Sequence, residues 1–142
     1  MDQRRLPYVT ISGYHKPLNF LIDSGSHISL INPHLAKQYF SDYIITKPTI
    51  IKTSCGQQLA NFEAHIPAFK EFQTKENIAF ILFDFHPFFD GLISFRDLRN
   101  MGFNWKLQEG FLQRDDISVP VFQCAPTEYN CYNITINENE IL

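Results

Sequence analysis

The stretch Phe20-Leu21-Ile22-Asp23-Ser24-Gly25-Ser26-His27-Ile28-Ser29-Leu30-Ile31-Asn32 places a single acid in a short polar break between two apolar runs. Leu18, Phe20 and Ile22 alternate with Asn19 and Leu21, and Ile28, Leu30 and Ile31 resume the apolar pattern after the break. Each flank therefore reads as a core strand, and Asp23 sits where the first one stops. Carboxylates are seldom fully buried without partners, so an acid between two core strands invites a functional reading. Ser24 and Gly25 follow it, and a glycine lets backbone N–H groups approach a carboxylate with no Cβ in the way. The tripeptide fits a held reactive acid and an Asx-type turn equally well.

The rest of the chain is read as strands around that corner. Leu6 to Ser12 and Pro17 to Ile22 alternate on either side of Gly13-Tyr14-His15-Lys16, a hairpin that delivers Asp23. Asn32 as N-cap and Pro33 at the first helical position start a short helical connector through Phe40. Tyr43 to Thr53 and Leu59 to Phe69 form a long hairpin whose polar tip is Ser54-Cys55-Gly56-Gln57-Gln58. Asn77 to Phe85 is apolar on both faces, as a central strand is. Phe95, Leu98 and Met101 follow helical spacing, with Gly102 as the stop. Phe103 to Leu107 and Phe111 to Arg114 make a hairpin with Trp105 packed in its face, and Val119 to Phe122 adds one more strand. From Ala125 onward the chain is polar and Asn-rich, without clear periodicity.

Composition narrows the function classes. At 142 residues and 44% hydrophobic, the chain suits one globular domain. Its 14 phenylalanines favour strand packing over a helical bundle. A net charge of −3 and scattered basic residues, with Arg4-Arg5 the only tight pair, give no electrostatic reason to expect nucleic-acid binding. Met1 is followed by charge, and no apolar run approaches a membrane span, so the expectation is a cytoplasmic protein without a membrane partner. Cys55, Cys124 and Cys131 form no CxxC pair and are expected to be reduced thiols.

In order along the chain stand a hairpin ending in Leu21-Ile22-Asp23-Ser24-Gly25-Ser26, Ser29-Leu30-Ile31 behind it, a second long hairpin with a glycine tip, and Phe89-Asp90-Gly91-Leu92-Ile93 before Leu98 and Gly102. This arrangement resembles the retroviral-type aspartic proteases, the retropepsins, and most closely those of gypsy-type long-terminal-repeat retrotransposons. The resemblance covers about residues 6–114. It implies an all-β, retropepsin-like closed barrel with a long flap hairpin and one short C-terminal helix, with residues 1–122 as the protease domain and 123–142 as a polar tail or linker. By the same resemblance Asp23 is the catalytic acid, Ser24 locks the loops of two subunits together, and Gly25 orients the carboxylate. Ser26, His27, Cys55, Gly56 and Gln57 are then the expected substrate-binding positions, from the active loop and the flap tip.

Chemistry leads the same way. Peptide hydrolysis by carboxylates needs two acids sharing one proton, one acting as base toward water and the other as acid toward the carbonyl. This chain has one Asp-Ser-Gly, so the second acid must come from another copy in a two-fold symmetric homodimer. The implied partners are that second copy and an extended polypeptide, a Gag–Pol polyprotein in the cytoplasm or in virus-like particles. The reaction calls for no cofactor and no metal. The more serious of the departures stands at Ser94, where the family carries glycine: a Cβ and hydroxyl there either crowd the active loop or add a hydrogen bond. The alternative function, reached through Ser94 or through a failure to dimerise, is a catalytically silent retropepsin-fold module for dimerisation or peptide binding. A serine hydrolase would want GxSxG, which Asp-Ser-Gly-Ser-His does not supply, and the five histidines show no metal-ligand spacing.

Overall fold

The alternating segments Leu6–Ile11 and Leu18–Asp23 form strands β1 and β2, paired antiparallel from Tyr8↔Leu21 to Ile11↔Leu18. The computed structural model describes residues 6–53, 56–67, 69–86, 88–124 and 134–135. After β2 come β3 (Ser29–Ile31) and the helix α1 (Pro33–Tyr39), where the Asn32 side chain accepts the N–H groups of His34 and Leu35 as the sequence predicts for an N-cap. The long hairpin is β4 (Ile44–Thr53) and β5 (Gly56–Pro67), with a register shift between Thr46 and Thr49 that accommodates Pro48 at a bulge. Its expected tip residues Ser54 and Cys55 lie outside the described residues. Then follow β6 (Asn77–Leu82), β7 (Gly91–Ser94), helix α2 (Phe95–Asn100), β8 (Asn104–Lys106), β9 (Phe111–Arg114), β10 (Ile117–Pro120), β11 (Phe122–Cys124) and β12 (Ile134–Thr135).

Nine strands form one mixed sheet in the order β11-β1-β2-β7-β3-β6-β5-β4-β12, and β10-β9-β8 make a second, smaller one. The sheet is antiparallel except for two pairs, β2 with β7 and β3 with β6. The expected closed barrel is not found among the described residues: the sheet is open, ending in β11 and β12. Closure requires the two outermost strands to bond to each other, and these are only three and two residues long. The boundary expected after Phe122 falls inside β11, whose Gln123 and Cys124 pair with Pro7 and Leu6. Within the expected tail, Ile134 and Thr135 pair with Thr53 and Lys52, and residues 125–133 and 136–142 lie outside the described residues.

Both faces of the central strands are buried. Leu18, Phe20 and Ile22 of β2, Ile31 of β3, Ile78, Phe80 and Leu82 of β6 and Ile93 of β7 enter one apolar cluster with Leu35, Phe40, Phe69, Phe72 and Leu98. The alternate residues Leu21, Leu30, Ile81 and Leu92 enter another with Phe83, Phe85 and Phe89. Each such side chain contributes about 1.5–3 kcal/mol on leaving water. Two-sided burial explains why β6 reads as a continuous apolar run, and why the sheet holds β2 and β7 in fixed register at the point where the polar loop leaves.

Candidate active site around Asp23

Asp23 ends β2, and its ladder partner on β7 is Ser94. The chain turns at once, and the Gly25 N–H donates to Asp23 Oδ1 at 2.8 Å. The carboxylate is half-buried. Burial pushes its pKa above the ordinary aspartate value, and the Gly25 hydrogen bond pulls against that shift. An acid so placed holds a proton more readily than a surface aspartate, as a carboxylate that must act as acid as well as base requires.

Ser24 and Gly25 are exposed on the loop beside it. Ser26, expected on the substrate side, is buried, and its hydroxyl donates to Ile28 O at 2.7 Å and accepts the Ile28 N–H at 3.3 Å. That side chain shapes the loop from inside. His27 is exposed and borders a cleft of about 310 Å³ together with Ile28, Lys47, Thr49, Glu63 and Arg96. The cleft thus lies between the active loop, the long hairpin and α2. Glu63 is buried there and partnered by His65 Nε2 at 2.9 Å and Lys47 Nζ at 3.6 Å. Gly56 and Gln57 stand exposed at the start of β5, and Cys55 lies outside the described residues. Among the described residues no three His, Cys, Asp or Glu side chains converge as a metal site would need, and no helix is long and apolar enough to cross a membrane.

Ser94 makes the hydrogen bond that was one of the two options for its side chain. It is 0% exposed, and its hydroxyl caps α2 by accepting the Asp97 N–H at 3.2 Å. The same hydroxyl donates to Asp97 Oδ2 at 3.2 Å, so it adds hydrogen bonds to the loop's surroundings. Asp97 Oδ2 also accepts the Ser29 hydroxyl at 2.5 Å, and Ser29 Oγ accepts the Ser94 N–H at 3.0 Å. Sequence reasoning assigned no role to Ser29 or Asp97. The signal was present, since Ser94-Phe95-Arg96-Asp97 has capping-box spacing ahead of Leu98. The other motif acid, Asp90, is structural: its carboxylate accepts the Asn19 N–H at 2.8 Å and faces Lys16 Nζ at 3.5 Å. The Phe-rich segment after β6 divides, with Phe85 and Phe89 buried and Phe88 48% exposed next to Tyr8.

No protein-family model matches the chain, and no curated protein matches its sequence. Among solved structures it is similar to the crystal structure of the retroviral protease-like domain of Ddi1 from Leishmania major. The two superpose with a TM-score of 0.61 at 19% sequence identity, over 82% of this chain and 92% of that one. At that identity the likeness speaks for architecture, and the architecture is mostly β and retropepsin-like.

Proposed function

We propose that the chain is an aspartic endopeptidase of retropepsin type, active as a homodimer in which Asp23 of each copy meets at the two-fold axis. The observation that carries the reading is Asp23 itself, a half-buried strand-end carboxylate held through Oδ1 by the Gly25 N–H, with its proton affinity raised by burial. Two such groups brought together share one proton, because like charges at close range do not both ionise cheaply. The pair titrates as a unit: the ionised member takes a proton from water as it attacks the peptide carbonyl, and the protonated member donates to the carbonyl oxygen. Neither a covalent intermediate nor a metal enters that sequence.

The long β4–β5 hairpin supports an extended substrate bound by strand addition beneath it. Ile45, Leu59 and Phe62 are exposed on this hairpin, apolar surface of the kind that a peptide or a second copy covers. The substrate class we favour is a retrotransposon Gag–Pol polyprotein, following the motif order in the sequence. The silent-module alternative draws on Ser94 or on a failure to dimerise; at Ser94 the active reading is supported by a buried hydroxyl hydrogen-bonded to Asp97.

The test is cleavage of a mixed peptide library by the purified chain from mildly acidic to neutral pH, with and without an aspartic-protease transition-state mimic, beside Asp23→Asn. The expected result is inhibitor-sensitive cleavage that depends on dimer concentration and is abolished in Asp23→Asn while the dimer persists. A dimeric wild-type protein that cleaves nothing refutes the endopeptidase and favours the peptide-binding module.

A further inference from the structure

The loop from Ser24 to Ile28 leaves the sheet at Asp23 and returns to it at Ser29. Both ends of the loop meet one small group of polar atoms. Asp23 lies beside Ser94 in the parallel β2–β7 ladder, and the Ser94 N–H donates to Ser29 Oγ at 3.0 Å. Ser29 and Ser94 then donate their hydroxyls to the same oxygen, Asp97 Oδ2, at 2.5 and 3.2 Å. Ser29 and Ser94 are completely buried. Capping α2 needs only Ser94 Oγ and the Asp97 N–H; the Asp97 carboxylate reaches beyond that task to the far end of the active loop.

We propose that Ser29, Ser94 and Asp97 form a brace that fixes the Asp23 loop at both ends, so that Ser29 and Asp97 are positioning residues for hydrolysis. The inference rests on the endopeptidase reading given above. A charge-assisted bond from a buried hydroxyl to a carboxylate is short and directional, which makes it a stiffer tie than a neutral contact. Burial raises the Asp97 pKa, while the two serine hydroxyls and Arg96 act in the opposite direction by favouring the ionised form that accepts both bonds. Ser29 is also held by its ladder pairing with Phe80, so losing the brace loosens the loop without releasing it. Catalysis feels such looseness strongly, because a misplacement of about 1 Å costs up to about 100-fold in rate.

Ser29→Ala, Asp97→Ala and Asp97→Asn test the brace in the full chain, through steady-state cleavage and the Gly25 amide resonance of ¹⁵N-labelled protein. That amide reports the loop directly, since it donates to Asp23 Oδ1. Ser29→Ala and Asp97→Ala are expected to lower kcat about tenfold with KM held within about twofold, and to move the Gly25 resonance. The Ser29→Ala/Asp97→Ala double variant is expected to be no worse than either alone, because each removes the same tie. Asp97→Asn, which keeps one acceptor oxygen, falls in between. The brace is overturned if folded Ser29→Ala keeps the wild-type kcat, or if its losses follow the unfolded fraction with the Gly25 resonance unmoved. Should the wild-type chain, shown to be dimeric, cleave nothing, the endopeptidase reading fails by itself. The Gly25 resonance in Ser29→Ala then decides the brace alone, supporting it if displaced and overturning it if unchanged.

Discussion

Gly91 is the position where one added methyl should do most harm. It opens β7, facing Phe20 across the parallel ladder and Ile31 across the antiparallel one. A Cβ built there would lie 2.5 Å from Phe20 Cε1, 2.7 Å from Phe20 Cδ1 and 2.6 Å from the Leu30 carbonyl oxygen. The Phe20 ring has nowhere to retreat, being fully buried with its centroid 5.2 Å from Phe69 and 5.6 Å from Phe80. The Leu30 carbonyl belongs to β3, paired on both sides, so backbone must move as well. Overpacking of this kind costs about 1–3 kcal/mol, and simultaneous ring and backbone clashes put Gly91→Ala at about 3 kcal/mol. That is a large share of the roughly 5–15 kcal/mol that holds a domain together. With a urea m-value of about 2 kcal/mol/M, the midpoint should drop by about 1.5 M. Phe20→Leu in the Gly91→Ala background removes the two ring contacts and leaves the carbonyl, so partial recovery is expected, with a coupling of about 1–2 kcal/mol. A Gly91→Ala midpoint within about 0.3 M of wild type, at unchanged m, would refute the argument.

Two further predictions concern ionisation. His86 is buried against Phe89, its Nδ1 accepts the Phe88 N–H at 3.0 Å, and burial lowers its pKa from 6.5. The unfolded chain therefore takes up this proton first as pH falls, so the stability that neutral His86 provides is complete above pH 6.5 and is lost as pH drops through its lower folded value. In His86→Asn, which keeps an acceptor and cannot ionise, urea midpoints between pH 7 and 5 should fall less than in wild type; parallel curves would contradict this. At concentrations where the chain is monomeric, Asp23 has the opposite sign, because a folded pKa raised by burial makes the ionised form unfavourable at neutral pH and lets wild type gain stability as pH falls through that value toward 3.8. Asp23→Asn should thus melt higher than wild type at pH 7, with the gap narrowing toward pH 4, and a gap that widens on acidification would overturn the sign.

What was legible in the chain was local. The β1–β2 hairpin, the Asn32-Pro33 helix start and the stop at Gly102, which adopts φ +87°, each follow from residues within one turn of the event they cause. Beyond the hairpins β1–β2, β4–β5 and β8–β9, the partner of each strand was not legible, because period-2 burial looks the same whichever neighbour a strand bonds to. That ambiguity covers the parallel β2–β7 and β3–β6 pairs and the open sheet in place of a barrel. It also hid β11, where Phe122–Cys124 carries too few residues for a pattern and owes its place to β1. In the candidate site, the approach of the Gly25 N–H to the Asp23 carboxylate was readable from their tripeptide. Ser29 and Asp97 stand 68 positions apart, and only folding brings them to 2.5 Å.

Positions 91 and 94 show why a motif glycine cannot be weighed by its letter alone. Both belong to β7, and the retropepsin pattern that the sequence resembles carries glycine at each. At Gly91 a Cβ would strike a buried ring and a paired carbonyl, so the residue is required by space. At Ser94 the strand has reached its end, the next residue starts α2, and helix capping favours a hydroxyl there. The side chain that looked like a defect thereby satisfies a helix N–H and joins Asp97 to the loop beside Asp23. Replacing a motif glycine is a loss where the glycine answers to steric closeness. Where a terminus exposes an unpaired N–H, the same departure becomes a site for a new hydrogen bond, and at 94 the added hydroxyl ties α2 to the loop that follows Asp23.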